Sequence, residues 1–512
     1  MSRIDVNNLT FYYEGSFDNI FENVSFSIDT DWKLGLIGRN GKGKTTFLNL
    51  LLGKYEYSGS IRAGTNFDYF PYFIPEDYAA KNAADFLEQL KPGCEFWRML
   101  CELNDLELDA EVLYRPFGTL SHGERTKVML AVLFSDENEF LLIDEPTNHL
   151  DQASRETVKA YLGRKKGFIL VSHDRDLLDA CINHVLVLNR QTIEVQSGNF
   201  SSWWENKERK DAFARMENEK HLKEIGKLKK AASRAKNWAD KNEKTKIGFD
   251  PLKEPERNIA TRAYIGAKTK KMQSRVKQME YRLDREIREK EGLLQDIEQT
   301  VELKLAPLSH HKERLLTADG YGLGYVGGKE AVFQNLRFTV EQGERVFLNG
   351  KNGCGKTSLL KAVLAAVSGD REQEMKTAGL LESGLLQTAS GIIVSYVNQD
   401  TSFLKGTIGA YCHFRGLDES LFCAVLHQLG TERVQFAKPM EDYSEGQKKK
   451  VLIAASLLTP AHLYIWDEPL NYMDLFSRMQ IEELLLTFRP TLLAVEHDIR
   501  FQEKVATKVI RM

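Results

Sequence analysis

A glycine-rich loop of the form G-x-x-x-x-G-K-[ST] occurs twice in this chain, its two lysines 312 residues apart. The first copy is Gly38-Arg-Asn-Gly41-Lys-Gly43-Lys44-Thr45, and the second is Gly350-Lys-Asn-Gly353-Cys-Gly355-Lys356-Thr357. Each follows a short apolar run (33–37 and 345–348) and precedes a helix-like segment (45–52 and 357–363). Strand, glycine-rich loop and helix is the context in which this pattern cradles phosphates. Two matches with the same followers exclude coincidence. Leu-Ser-His-Gly-Glu (120–124) precedes Asp144-Glu145-Pro146, and Tyr-Ser-Glu-Gly-Gln (443–447) precedes Asp467-Glu468-Pro469. The step from serine to aspartate is 23 residues in both halves. A third apolar strand then leads to Ser172-His173-Asp174 in one half and Glu496-His497-Asp498 in the other. The chain reads as an internal duplication of an α/β nucleotide-binding domain with a mostly parallel sheet.

Between the halves, residues 201–315 lose their strand-like runs and fill with Lys, Arg, Glu, Ala and Leu. This composition predicts two antiparallel helices, about 201–242 and 259–304, each roughly 60 Å long at 1.5 Å per residue. Gly248, Pro251 and Pro255 break the pattern at an irregular tip, about 242–260. From 223 to 277 there are 17 Lys/Arg against 6 Asp/Glu, on a chain whose net charge is −3. A basic rod on an otherwise acidic protein is the footprint of a polyanion partner, most simply RNA. The expected division is therefore 1–200, a linker at 201–315, and 316–512.

Composition excludes several other classes. No stretch approaches the ~20 apolar residues of a membrane span. The six cysteines show no paired spacing, which argues against a metal site or disulfide framework and for a reducing, cytoplasmic setting. Ser2, Arg3, Asp5 and Asn7 interrupt any signal-like run. No extension is expected beyond the 15 residues that follow His497.

The chemistry follows from the residue types. Backbone N–H groups of the glycine-rich loops bind anions at a helix N-terminus. Lys44 and Lys356 pair with the β/γ-phosphates of ATP, and Thr45 and Thr357 reach Mg²⁺. Asp144 and Asp467 hold the metal shell. Glu145 and Glu468 are placed to accept a proton from the attacking water. His173 and His497, 29 and 30 residues after the aspartates, are candidates for a γ-phosphate contact.

Ser-x-Gly-Glu/Gln before the second acidic motif, followed by Asp144-Glu-Pro-Thr-Asn-His-Leu-Asp151, resembles the ABC ATPases. The Thr-Asn-His-Leu-Asp extension and the tandem domains are similar to the ABC-F subgroup. The resemblance implies two tandem ABC-type P-loop ATPase domains joined by a long antiparallel α-helical hairpin. It also implies a head-to-tail arrangement within a monomer, in which each ATP is sandwiched. Site one would combine Gly38, Asn40, Gly41, Gly43, Lys44, Thr45 and Thr46 with Ser444 and Gly446. Site two would combine Gly350, Asn352, Gly353, Gly355, Lys356, Thr357 and Ser358 with Ser121 and Gly123. Tyr13 and Tyr325 match the adenine-stacking aromatic, although each alone reads equally as a core residue. Gln399 matches the family's Mg²⁺-sensing glutamine, whereas the first half offers Tyr72 there. The two sites are thus expected to be unequal.

Trp32-Lys-Leu-Gly-Leu-Ile-Gly-Arg-Asn-Gly, Tyr443-Ser-Glu-Gly-Gln-Lys-Lys-Lys450-Val and Asp467-Glu-Pro-Leu-Asn-Tyr-Met-Asp474 resemble the Lsa/Vga-type antibiotic resistance proteins. The implied activity is protection of the bacterial 70S ribosome from lincosamides, pleuromutilins and streptogramin A. The linker would enter from the tRNA exit site toward 23S rRNA and P-site tRNA. Lys244, Lys246, Phe249, Arg262, Tyr264 and Lys268 are the candidate tip residues. Phe249 and Tyr264 read equally as packing for the end of the hairpin. The alternatives are a housekeeping ABC-F factor that relieves stalled ribosomes and, more distantly, the ATPase subunit of an ABC transporter.

Overall fold

The computed structural model describes residues 2–13, 19–91, 94–136, 139–148, 150–188, 193–247, 303–327, 331–351, 353–368 and 371–512, with six single positions between 274 and 285. The chain divides into two units, Met1–Trp203 with Val301–Met512, and Trp204–Thr300.

Each half of the first unit is built on a mainly parallel sheet. In the first half the strand order is Asn66–Phe70, Glu139–Asp144, Phe168–Val171, Lys33–Ile37, His184–Leu188 and Ile193–Ser197. Only the last pair is antiparallel. In the second half the order is Val394–Val397, Leu463–Asp467, Leu492–Val495, Arg345–Asn349 and Lys508–Arg511, all parallel. Parallel strands bury both faces, which is why these segments read as near-continuous apolar runs. A three-stranded antiparallel sheet accompanies each: Phe21–Asp29, Arg3–Phe11 and Ser58–Ala63, then Ala331–Glu341, Arg314–Tyr325 and Leu380–Thr388.

Alternation within a strand divides the second half's core in two. Leu463 and Ile465 pack with Leu359, Leu360 and Val363 of the helix Lys356–Val367. Tyr464 and Trp466 face the other way, among Val451, Leu452 and Ala455 of the helix Glu445–Leu458. The polar ends of both aromatics are satisfied there: Trp466 Nε1 donates to Ser456 Oγ at 3.0 Å, and the Tyr464 hydroxyl to the Thr459 carbonyl at 3.2 Å. Since the strands run parallel, the loops that carry the phosphate-loop, acidic and histidine motifs emerge at their carboxyl ends. That edge is where open α/β sheets bind ligands.

The first linker helix runs Phe200–Ile247, starting as the sequence suggests but passing through the expected end near 242. Its 48 residues span roughly 72 Å. Lys244 and Lys246 lie on its last turn. Phe249, Arg262, Tyr264 and Lys268, and most of the expected 259–304 helix, lie outside the described residues. Leu303 is not helical; it and Leu305 already belong to the second half's core, and the first strand of that half begins at Arg314. Among the described residues, no helix is long and apolar enough to cross a membrane.

One buried charge pair braces the second half. Lys450 Nζ lies 2.6 Å from Asp474 Oδ2, with side chains 2% and 0% exposed. Burial works to raise the Asp474 carboxyl, but the Lys450 ammonium overcomes it and holds the group well below the carboxylate range. Asp474 also caps the helix Leu475–Phe488 through Ser477 N. Removing one partner of such a pair strands a buried charge, at a cost of about 3–5 kcal/mol. Because the folded-state pKa is depressed, this contribution is present above the unfolded carboxylate value of about 3.9 and fades as pH falls below it. Lys450→Met is expected to lower stability by about that amount at pH 7, measured by urea denaturation. The loss shrinks as the pH is taken below about 4.

Candidate functional site

Both phosphate loops turn on glycines that only a residue without Cβ tolerates. Gly41 and Gly43 have φ of 81° and 90°, and Gly353 and Gly355 of 81° and 96°. A Cβ on Gly43 would lie 2.6 Å from Ile20, and one on Gly355 2.6 Å from Val332. The helices that follow begin at Lys44 and Lys356, and neither N-terminus is capped by a side chain. Their first N–H groups therefore point into the loop, as anion binding requires. Lys44 Nζ donates to the Gly38 carbonyl at 2.7 Å and to Asn40 Oδ1 at 3.1 Å. Lys356 Nζ donates to the Gly350 and Lys351 carbonyls at 2.8 and 3.0 Å. Both ammonium groups are thus held over their own loops. Asn352 lies outside the described residues.

The expected metal residues come together in both halves. Thr45 Oγ1 is 3.2 Å from Asp144 Oδ2, and Thr357 Oγ1 is 3.3 Å from Asp467 Oδ1. Asp467 Oδ2 is buried without a hydrogen-bond partner among the described residues. Burial, with Glu468 beside it, pushes the Asp467 carboxyl up to about 6, and burial raises Asp144 as well. A buried, unsatisfied carboxylate oxygen beside a hydroxyl is a donor set that suits a hard divalent cation such as Mg²⁺.

Each aspartate is followed by a glutamate in left-handed backbone conformation, with φ of 50° at Glu145 and 47° at Glu468. Their N–H groups donate to the carbonyls of Val171 and Val495, at 2.9 and 3.0 Å. This turn aims each carboxylate at a histidine just past the neighbouring strand: His173 Nε2 is 3.3 Å from Glu145 Oε1, and His497 Nε2 is 3.5 Å from Glu468 Oε1.

The surroundings of the two glutamates differ. Gln399 Nε2 donates to Glu468 Oε2 at 2.8 Å, and Asn471 Nδ2 to the same oxygen at 2.6 Å. Burial opposes the Glu468 charge, but the bonds from His497 and Gln399 outweigh it and hold the carboxyl below its ordinary value. Glu145 Oε1, in contrast, is buried with no hydrogen-bond partner among the described residues. Burial and the neighbouring Asp144 push Glu145 up to about 8. Burial, with Lys44 and Arg478 nearby, drives the His173 imidazole well below its ordinary value.

Strand register places Tyr72 opposite Gln399: Phe67 pairs with Phe140 as Val394 pairs with Leu463. The Tyr72 hydroxyl nevertheless turns away, to Asp68 Oδ2 at 2.5 Å. It is Tyr69, three residues earlier, whose hydroxyl reaches Asp144 Oδ2, at 3.1 Å. At this register position the first half carries Tyr72, but the hydroxyl that meets Asp144 is that of Tyr69.

Tyr13 and Tyr325 occupy equivalent places. Their hydroxyls lie 2.8 Å from Thr46 Oγ1 and Ser358 Oγ, on the first turn of each phosphate-loop helix. The two residues are 40% and 49% exposed.

Ser121 and Ser444 are N-caps of the helices His122–Leu133 and Glu445–Leu458, each closed by a capping box with Glu124 or Gln447. The second of these helices meets the first phosphate loop. Asn40 Nδ2 donates to the Tyr472 carbonyl at 2.9 Å, and Lys42 pairs with Glu432 at 2.5 Å. A Cβ on Gly446 would lie 2.3 Å from the Tyr472 carbonyl oxygen and 3.1 Å from Asn40 Nδ2. Asn40, to which Lys44 donates, thus meets Gly446, on the first turn of the helix that Ser444 caps. At the equivalent place in site two, Asn352 and His149 lie outside the described residues. A Cβ on Gly123 would meet Ser154 Oγ of its own half at 3.1 Å.

Ion pairs also join the halves: Arg175 with Glu482 at 2.6 Å, Arg500 with Asp179 at 2.7 Å, and Arg500 with Asp176. Sequence reasoning missed these pairs, as it missed Asn471, Tyr69 and the Tyr472 carbonyl. Asn471 had a signal, since Asn148 and Asn471 follow the two Asp-Glu-Pro motifs at the same step.

Two phosphate loops, two acidic pairs and a signature helix apposed to the opposite loop define a tandem P-loop ATPase. The family model described as ABC transporter matches residues 21–148 and 333–471, more than half of the chain, and the protein belongs to that family. It is 29% identical over 494 residues to the ribosome protection protein VmlR of Bacillus subtilis (strain 168), covering 96% of this chain and 84% of that one. It is 26% identical over 505 residues to the erythromycin resistance ATP-binding protein MsrA of Staphylococcus epidermidis, covering 93% and 91%. Identity to the energy-dependent translational throttle protein EttA of Haemophilus influenzae is 24% over 535 residues, covering 96% and 89%. In solved structures, the fold is similar to that of the archaeal ribosome recycling factor aABCE1 in its crystalline complex with the stalk protein aP1. That match has a TM-score of 0.60 at 17% identity and covers 98% of this chain and 87% of that one. As a member of that family, the protein binds and hydrolyses ATP.

Unequal hydrogen bonding predicts unequal loss. Glu468→Gln is expected to reduce steady-state ATPase more than Glu145→Gln, and equal losses would contradict the asymmetry. Gly446→Ala places a methyl against the Tyr472 carbonyl and is expected to lower kcat at least about tenfold, in line with a displacement of about 1 Å at the site. ATP titration checks that nucleotide still binds.

Proposed function

We propose that this protein is a cytoplasmic ATPase that binds the bacterial 70S ribosome and protects its peptidyl-transferase centre from lincosamides, pleuromutilins and streptogramin A. The observation that carries the reading is similarity to a ribosome protection protein across 96% of the chain, linker included. The charge of the linker supports it, with 17 Lys/Arg against 6 Asp/Glu between 223 and 277. A long basic helix suits crowded, phosphate-rich RNA. Entry is from the tRNA exit site, with Lys244, Lys246, Phe249, Arg262, Tyr264 and Lys268 toward 23S rRNA and P-site tRNA. Similarity to a translational throttle protein favours the second reading, a housekeeping factor acting on stalled ribosomes.

In the proposed mechanism, Lys44 and Lys356 leave their own loop carbonyls for the β- and γ-phosphates, and Tyr13 and Tyr325 stack on adenine. Thr45 and Asp144 would hold Mg²⁺ at site one, and Thr357, Asp467 and Gln399 at site two. Mg²⁺, when bound, offsets charge on the phosphate oxygens. Ser444 and Gly446 close site one from the opposite half, and Ser121 and Gly123 close site two. Glu468, already a hydrogen-bonded carboxylate beside His497, takes a proton from the attacking water at site two. At site one the same step falls to Glu145, beside His173, once its own raised carboxyl has lost its proton. Closure on ATP holds the linker in place, and hydrolysis releases it.

Cell-free bacterial translation inhibited by lincomycin tests the reading. Wild-type protein is expected to restore synthesis, and the Glu145→Gln/Glu468→Gln double variant to block it. If neither has any effect, the ribosome is not the target. If the double variant blocks synthesis while wild type does not restore it, the housekeeping reading is favoured. Tyr264→Ala or Phe249→Ala is expected to keep ATPase activity and lose protection.

A further inference from the structure

The helices that follow the two Asp-Glu-Pro loops start in the same way. Asp151 caps Gln152–Arg164 and Asp474 caps Leu475–Phe488, and one turn further in each carries an arginine, Arg155 or Arg478. Each arginine first braces its own loop: Arg155 Nε donates to the Leu150 carbonyl and Arg478 Nε to the Met473 carbonyl, both at 3.0 Å. The other end of each guanidinium crosses to the opposite half. Arg478 Nη1 donates to the carbonyl of His173 at 3.1 Å, and Arg155 Nη1 to the carbonyl of His497 at 3.3 Å. The side chains are only 10% and 14% exposed. Arg478 is 3.3 Å from Asp498 Oδ2, and Arg155 is 4.0 Å from Asp174 Oδ2.

A guanidinium keeps its charge and its donors at any working pH, so its geometry, not its protonation, carries information. Both acceptors are the backbone of the residue whose imidazole stands beside the reacting glutamate. Fixing that carbonyl fixes the peptide plane and hence the direction from which the imidazole leaves the chain. The contact is made twice, once in each direction, by residues at equivalent positions of the repeat. A contact that only stiffened one half would have no reason to cross in both.

We infer that Arg155 and Arg478 are positioning residues acting in trans: each sets the histidine of the other half's ATP site. Arg478 completes the site of Lys44, Glu145 and His173, and Arg155 completes that of Lys356, Glu468 and His497. Each site is thereby competent only while the opposite half is docked, a second dependence beyond the signature serine. The inference rests on the assignment of Glu145 and Glu468 to the two sites and needs no ribosome.

Single-turnover hydrolysis by the full-length protein tests it, with one site disabled at a time. Arg478→Met in the Glu468→Gln background is expected to slow the remaining site about 10- to 100-fold, with KM for ATP changed less than about twofold. In the Glu145→Gln background the same substitution has the smaller effect, and Arg155→Met shows the reverse pattern. Arg478→Lys, which keeps one donor, recovers part of the rate. Hydrogen exchange with ATP and Mg²⁺ present reads the same contact without turnover. Residues 172–176 exchange faster in Arg478→Met, and residues 496–500 in Arg155→Met. If each substitution slows chiefly its own half's site, or changes exchange only in its own half, the arginines are local braces and the proposal is overturned. Full turnover in Glu145→Gln or Glu468→Gln would instead sink the assignment of the sites.

Discussion

A parallel strand followed by a loop that closes on a glycine of positive φ is the constraint on which both halves are built. At Gly43 and Gly355 the chain must leave a buried strand and enter a helix within a few residues, with no room for a side chain on the turn. This leaves the N–H groups of the helix start unsatisfied by the protein. It also leaves a lysine bonded to oxygens of its own loop. Neighbouring strands, held parallel by the sheet, then deliver the acidic pair and the histidine to the same edge. One backbone requirement thus sets both the position of the phosphates and the direction from which every other group approaches.

What such an edge lacks is a second wall. The first half finds it in Ser444, Gly446 and the Tyr472 carbonyl of the other half, with Asn40 as the bridge. The buried arginines extend the dependence from substrate binding to the placement of the histidines. Chemistry and domain closure are therefore hard to separate in this molecule, because the same short loops serve both.

Much of this was legible in the sequence, for identifiable reasons. The strands 33–37, 168–171 and 463–467 are apolar on both faces, so their runs are unbroken and their ends plain. The phosphate loops and acidic pairs are contiguous motifs, and duplication doubled their signal. Groups that act across the repeat were not legible. The Tyr472 carbonyl carries no side-chain signature, and Arg155 and Arg478 read as ordinary helix arginines until the opposite half is in place. Tyr69 was overlooked because register pointed to Tyr72, and only the side chain's turn toward Asp68 shows which hydroxyl reaches Asp144. The first linker helix passed its expected end because residues 243–247 carry no breaker, the first being Gly248.

The ion pairs between the halves bear on how a duplicated protein stays in register with itself. Asp176 and Arg500 stand at the same position of the repeat, three residues after His173 and His497, and they meet each other. Contact between equivalent positions places them beside the pseudo-twofold axis. Two copies of the first half would bring aspartate against aspartate there, and two copies of the second arginine against arginine. Opposite charges on equivalent positions make self-association of either half repulsive and cross-association attractive. Duplication has here given way to complementarity, so that each half is built to accept its own sibling and refuse its twin.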